Sequence, residues 1–308
     1  MKDTPHIPVM LNEVLENLNI KDGGVYVDGT FGNGGYTSAI LNKKNTTVIS
    51  FDRDETVLPR VKEVKEKYGE RFIFFQKCFS NILPTLKENN INSVDGLVLD
   101  IGVSSMQIDT PDRGFSFRFD APLSMTMGQN ELDAKEVINN LSETELADIF
   151  YKYGEEPRSR AIARRIVSIR GEKPIITTFE LVNIIKNVVG EWQASKVVPR
   201  IFQALRIYVN DELGELEKVL NDTESILSSG GRLVVVDFHS LEDRIVKNFI
   251  KSKTEAKQTL SRYIPTNIDN NEKLSFKNIH KNAIIPSKQE VENNPRAHSA
   301  KLRVMEKL

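Results

Sequence analysis

The sequence predicts an α/β fold: a doubly wound, mostly parallel sheet interrupted by an all-helical insert. Three observations lead there. Short apolar, β-branched runs alternate with helical patterns over the first third of the chain; only helical patterning runs from Ala134 to about Tyr208; and a strand pattern returns after Gly231. Repeated βα units imply a parallel sheet, and strands covered on both faces read as unbroken apolar runs.

Taken in order, "GVYVDGT" (24–30), "TTVISFD" (46–52), "RFIFFQ" (71–76) and "VDGLVLDIG" (94–102) are strands of that kind. Between them "GYTSAILNK", "ETVLPRVKEVKEKYG" and "ILPTLKENN" suit helices, with Pro59 placed in the first turn or two. Residues 110–135 are loop-like, punctuated by Pro111, Gly114, Pro122 and Gly128. The insert reads as helices at "AKEVINNL", "ETELADIFYKYG", "PRSRAIARRIVSIR", "TFELVNIIKNVVG" and "PRIFQALRIYV". "SETE" (142–145) and "TTFE" (177–180) are capping boxes, a hydroxyl and a carboxylate three residues apart that satisfy each other's backbone N–H. "DELGELEKVLNDTESILSSGG" is a helix ending at glycines, and "RLVVVDFHS" (232–240) a strand. The chain beyond Lys251 is polar and basic, with a last strand at "AHSAKLRVMEKL" and no internal repeats. The expected division is 1–104 and 211–308 for the sheet domain and 105–210 for the insert.

At 308 residues the chain can bury a sizeable core, and 39% hydrophobic with 28% charged residues is ordinary for a soluble protein. No apolar run approaches the roughly 20 residues of a membrane span, and the opening "MKDTPHIPVMLNEVL" has no apolar core of a secretory signal. The single cysteine, Cys78, leaves no internal disulfide and fits the reducing cytoplasm. A net charge of −1 excludes a bulk polycation, so any nucleic-acid binding must use a local patch. His6, His239, His280 and His298 are scattered, without zinc-ligand spacing, and no metal is expected.

The turn inside "YVDGTFGNGGYTSAI" (26–40) is the first candidate site. An NTP cradle needs a lysine after the glycines, and none follows. A dinucleotide turn needs G-x-G-x-x-G, but Thr37 stands where the third glycine belongs after Gly32 and Gly34. What remains is a nucleoside without phosphate, held at the strand ends. Asp28, Asp52 and Asp100 close the first, second and fourth strands, and Phe79 follows the third. An acid at Asp52 can accept from both ribose hydroxyls, and a ring at Phe79 can lie against a base. Each feature alone also occurs as a cap or tight turn in any fold of this type. Asp52 suits a nicotinamide cofactor equally well, so an oxidoreductase stays open on these residues.

The chain resembles the bacterial 16S rRNA (cytosine-N4)-methyltransferase family, known as RsmH or MraW, within the class I S-adenosylmethionine-dependent methyltransferases. The resemblance spans nearly the whole chain. It rests on "HIPVMLNEVLENL" (6–18), "YVDGTFGNGGYTSAIL" (26–41), "FDRD" (51–54), "DGLVLDIGVSSMQIDTPDRGFSF" (95–117), "EEPRSRAIARRIV" (155–167), "RIFQALRIYVNDEL" (200–213), "GGRLVVVDFHSLEDRIVK" (230–247) and "NPRAHSAKLRV" (294–304). It implies a Rossmann-like class I methyltransferase sheet with an inserted all-helical domain. The cofactor would be S-adenosyl-L-methionine, and the acceptor the N4 amine of a cytosine in the decoding region of 16S rRNA. Gly34, Gly35 and Tyr36 would contact the methionine portion of the cofactor, Asp52 its ribose and Phe79 its adenine, with Asp100 and Gln107 completing the pocket. Tyr36 departs from the histidine usual in the family, so any role of an imidazole is lost.

The exocyclic amine of cytosine is a poor nucleophile because its lone pair is delocalised into the ring. Acceptors around its N–H bonds would localise that pair. Asp100 is the first choice, and a hydroxyl of Ser104 or Ser105, or a backbone carbonyl, the second; the two serines suit capping equally well. Zinc-dependent deamination lacks its H-x-E and P-C-x-x-C signatures. For RNA, Arg158, Arg160, Arg164, Arg165 and Arg170 fall on one helix with no acid between the first and last, denser than a merely solvated face. Arg113 and Phe115 lie in a loop able to hold a base, although core packing of its phenylalanines is as well supported. His239 sits on the rim beside Ser240, which is expected to cap the next helix. The partner implied is 16S rRNA within the small ribosomal subunit, without membrane or metal; a homodimer is compatible with the sequence. A non-catalytic assembly factor built on the same fold is the second rival.

Overall fold

The computed structural model describes residues 8–43, 45–128, 132–255 and 274–308. His6, residues 129–131 of the expected loop and residues 256–273 of the basic stretch lie outside them. The chain divides into two units, Met1–Gly102 with Glu215–Leu308, and Val103–Gly214, where the sequence suggested 105–210 for the insert.

The first unit is a seven-stranded sheet of β1 (Val25–Asp28), β2 (Thr47–Phe51), β3 (Phe72–Phe75), β4 (Val94–Asp100), β5 (Leu227–Asp237), β6 (Phe276–Asn278) and β7 (Lys301–Lys307). Their order is β3-β2-β1-β4-β5-β7-β6. The first five are parallel, and β7 runs antiparallel to both its neighbours. The inner strands are apolar on both faces. Val27, Ile49, Leu97, Leu99, Leu233 and Val235 pack into one cluster with Leu216, Val219 and Val246, each fully buried aliphatic side chain contributing roughly 1.5–3 kcal/mol.

Helices α1 (Leu11–Leu18), α2 (Gly35–Leu41), α3 (Leu58–Tyr68) and α4 (Ile82–Glu88) alternate with the early strands. Pro59 sits in the first turn of α3, where its missing N–H removes no helical bond. The second unit holds α5 (Ser105–Asp109), α6 (Ala134–Asn140), α7 (Glu143–Lys152), α8 (Ser159–Arg170), α9 (Thr178–Val189) and α10 (Glu191–Asn210). After these come α11 (Glu212–Ile226), α12 (Ser240–Thr254) and α13 (Lys288–Asn293). Both expected capping boxes form, Ser142 with Glu145 on α7 and Thr177 with Glu180 on α9.

Three elements differ from the sequence reading. Strand β5 begins at Leu227, ahead of the glycines, and absorbs them through a register shift against Val94 and Gly96, with Gly230 at φ 73°. Helix α10 runs through Pro199, because Val197, Val198, Ile201 and Phe202 all bury into the helical core and outweigh the lost helical bond. The edge strand β6 has three residues, only Phe276 buried, too few for a readable alternation.

Candidate active site

The carboxyl ends of the parallel strands carry acids, and the chain between strands holds them in place. Asp28 at the end of β1 is fully buried. It accepts from Thr37 Oγ1 at 2.6 Å and from the Thr30 N–H at 3.2 Å. Thr37 also bonds Ser50 of β2 at 2.7 Å. The residue that breaks the dinucleotide pattern is therefore a strut between β1, β2 and α2. A glycine in its place would lose both bonds.

The glycines of the turn have separate reasons. Gly34 has φ 67°, and a Cβ there would stand 2.8 Å from the Phe31 ring. At Gly35 a Cβ would meet Pro8 Cγ at 2.1 Å, so this glycine admits the chain's own leading segment. Gly32, at φ 50°, is the open one: its nearest neighbour to an added Cβ is the Thr30 carbonyl at 3.9 Å. Tyr36 is buried, and its hydroxyl donates to the Val9 carbonyl.

Asp52, half-buried just past β2, accepts the Gly32 N–H at 2.8 Å on one oxygen and the Asp54 N–H at 2.9 Å on the other. Each oxygen keeps a lone pair, enough for two neighbouring hydroxyls. Phe79 opens the short 3-10 turn Phe79–Asn81 after β3, half-buried against the sheet core. Asp100 ends β4; its N–H donates to Thr30 Oγ1 at 2.8 Å, and among the described residues its buried Oδ1 has no hydrogen-bond partner.

These acids hold protons more tightly than ordinary carboxylates. Burial pushes Asp28 and Asp52 up to about 6, and their hydrogen bonds oppose it. Asp100 goes up to about 8, first through burial and then through the charge of Asp28; the Tyr36 hydroxyl opposes and Glu242 adds to the rise. Asp237, at the end of β5, also reaches about 8, through burial and then the charges of Asp243 and Glu242. A rim of crowded acids favours a cationic ligand. With the ribose-type acid at Asp52, the ring at Phe79 and the orphaned oxygen of Asp100, these residues fit a sulfonium nucleoside.

His239, not Ser240, is the N-cap of α12. Its Nδ1 accepts the Glu242 N–H at 3.3 Å, while Glu242 Oε2 accepts the Phe238 and His239 N–H groups at 3.1 and 3.3 Å. Beside it a cavity of about 400 Å³ is lined by Asp237, Phe238, His239, Ile285, His298 and Lys301, among others. Sequence reasoning passed over Asp237, although an acid closing "VVVD" repeats the signal that singled out Asp52 and Asp100.

The second unit's candidates divide sharply. Ser104 is the N-cap of α5, its hydroxyl accepting the Gln107 N–H at 3.3 Å while Gln107 Oε1 accepts the Ser104 N–H at 2.9 Å. Both serve the capping box, the bland alternative for Ser104; Ser105 is the first residue of α5. Arg113 donates to the Thr126 carbonyl at 2.7 Å and lies over the Phe115 ring at 5.6 Å. Phe115 is buried in the helical core and cannot stack on a base; the exposed ring of that loop is Phe119. On α8, Arg160, Arg164 and Arg165 are exposed, and Arg164 has a surface contact with Glu143 at 3.5 Å. Arg158 donates to the Val189 carbonyl at 3.3 Å. Arg170 donates to the carbonyls of Ile138 and Leu141 at 2.6 and 2.5 Å, so it ties helices together. Of the five arginines, Arg158 and the middle three are exposed, while Arg170 is not.

The strand order, with the reversed β7 between β5 and β6, and the acids closing β1, β2 and β4 make the first unit a Rossmann-like class I methyltransferase sheet, the class anticipated from the sequence. Within that class the chain belongs to the MraW methylase family, whose profile matches residues 3–308. It is similar to proteins named Ribosomal RNA small subunit methyltransferase H. The one from Rickettsia canadensis (strain McKiel) is 50% identical over 302 residues, 97% of this chain and 96% of that protein. That of Rickettsia massiliae (strain Mtu5) is 49% identical over 300 residues, again 97% and 96%. That of Granulibacter bethesdensis (strain ATCC BAA-1260 / CGDNIH1) is 49% identical over 304 residues, 98% and 91%.

Proposed function

We propose that this protein methylates the N4 amine of a cytosine in the decoding region of 16S rRNA, within the small ribosomal subunit, using S-adenosylmethionine. The observation that carries the reading is the near-full-length similarity to relatives named for small-subunit rRNA methylation. When bound, S-adenosylmethionine supplies a methyl group on a sulfonium, electrophilic without further activation.

The protein's part is alignment and charge. Asp52 would accept from the ribose hydroxyls, Phe79 would lie against the adenine, and the turn from Gly34 to Tyr36 would border the methionine portion. Asp100 Oδ1, buried and without a hydrogen-bond partner among the described residues, accepts an N–H of the cytosine amine. That hydrogen bond localises the amine lone pair and takes up the positive charge that develops as the new bond forms. Asp100, held at about 8 in the free protein, ionises more readily beside a positive charge. Holding donor and amine in line supplies the largest share of the acceleration. The exposed Arg160, Arg164 and Arg165 contact RNA phosphates. A cytosine reaches such a rim only when unstacked or single-stranded.

The reading places the protein in the cytoplasm with its substrate. Among the described residues, no helix is long and apolar enough to cross a membrane. Mass mapping of small-subunit rRNA from cells with and without this protein tests the function. One methyl on a decoding-region cytosine, present only with the protein, is the expected result; identical maps contradict it.

A further inference from the structure

Among the described residues, Asp237 is the one rim acid with neither carboxyl oxygen hydrogen-bonded. It is 1% exposed. Its neighbours are engaged elsewhere. Lys301 and Arg303 of β7 bond Asp243, at 2.8 and 2.7 Å, and Glu242 takes the backbone of Phe238 and His239. Burying a polar group without partners is costly unless something arrives to pair with it. Asp237 is also among the residues that line the cavity at the end of β5, with Phe238 and Ile285, its two carboxyl oxygens themselves buried. Its position is set by the sheet: Asp100 pairs with Val236, so the two acids finish adjacent central strands.

Resting on the methyltransferase reading, we propose that this cavity seats the target nucleobase and that Asp237 reads its N3/N4 edge through two hydrogen bonds, presenting the amine to the end of β4. A carboxyl in its acid form offers an O–H donor beside a carbonyl acceptor. Cytosine offers the complement, a ring-nitrogen acceptor beside an amine donor. The charged groups around Asp237 support the acid form. Burial, Asp243 and Glu242 raise its pKa to about 8, ahead of the opposing Lys301 and Arg303; His239 and His298 also line the cavity, and Asp100 stands on the next strand.

The test uses the full-length protein as wild type, Asp237→Asn and Asp237→Ala, with unmodified small subunits and S-adenosylmethionine. KM and kcat are measured from pH 6.5 to 9.5, alongside calorimetric affinity for S-adenosylhomocysteine. Wild-type KM for the subunit should rise as pH passes about 8, where the donor hydrogen is lost. Asp237→Asn keeps a donor and an acceptor; its KM should sit about threefold above wild type at neutral pH and stay flat with pH. Asp237→Ala should raise KM roughly tenfold or more with homocysteine-ligand affinity unchanged. Wild-type KM in the alanine variant, a pH rise that survives in the asparagine variant, or tighter subunit binding above pH 8 (the behaviour of a cation site) each overturns the inference alone. Wild type that binds S-adenosylhomocysteine but transfers no methyl overturns the function on which it rests. If the alanine variant loses ligand binding through misfolding, the pH profile of Asp237→Asn decides.

Discussion

The sheet rim and the arginine helix illustrate two ways a sequence carries function. On the rim, position follows from topology: an acid that closes a parallel strand lies at the carboxyl edge whatever its neighbours are. Asp28, Asp52, Asp100 and Asp237 share that placement and differ in their partners, from Asp28, bonded on both oxygens, to Asp237, without a hydrogen-bond partner among the described residues. On α8 the arginines share a residue type and a helix, yet Arg170 is a structural tie and Arg164 a surface cation. Strand ends expose function by address; helix faces expose it only after packing is known.

The largest expected effect falls on the rim. Asp100→Ala should lower turnover by about a hundredfold or more, the scale of losing a charge-stabilising group in a dry site. Full activity in single-turnover assays would remove Asp100 from the reaction. Next comes the exposed face of α8. Reversing Arg164 and Arg165 to glutamate should weaken subunit binding roughly tenfold and reduce the salt slope by about 2, without touching cofactor affinity. Filter binding across a salt series reads both, and an unchanged slope would return that face to solvent.

Arg170→Ala sharpens the contrast from the other side. It strands two carbonyls near the helical core and should cost about 1–3 kcal/mol in denaturant unfolding, while leaving the salt slope as it is. A change of slope instead would make Arg170 a phosphate contact.

The remaining effect is a pH trend. Asp28 and Asp52 near 6, and Asp100 and Asp237 near 8, all lie above the 3.8 of an unfolded aspartate. The folded state therefore binds protons more tightly between those values, and this contribution, full below the unfolded value, is lost as pH rises through the folded ones. Asp243, Glu180 and Glu224, whose carboxyls are held below their ordinary values, act the opposite way but only at lower pH. The ligand-free protein should melt at progressively lower temperature from pH 5 to 8. A midpoint that rises over that range would contradict the buried acids.

Much of this was legible in the residues. Unbroken apolar runs gave β1 to β4 and the body of β5, because a buried parallel strand has no polar face to disguise it. Capping boxes placed α7 and α9 because they are local chemistry. What escaped depended on tertiary context. Burial carried α10 through Pro199, and the bulge at Gly230 let β5 start early. The aromatic loop shows the same limit: Phe115 is buried while Phe119 is exposed, although the spacing "GFSFRF" treats them alike. Asp237 stood in plain view, but its lack of partners among the described residues exists only in three dimensions.

Calorimetry with S-adenosylhomocysteine and NAD, on wild type, Asp52→Ala and the α8 double reversal, tests most directly whether the rim holds the cofactor. Wild type and the α8 variant should bind S-adenosylhomocysteine equally, and Asp52→Ala roughly tenfold or more weakly, having lost the acceptor for the ribose hydroxyls. Binding of NAD alone, or S-adenosylhomocysteine binding indifferent to Asp52, would contradict the account.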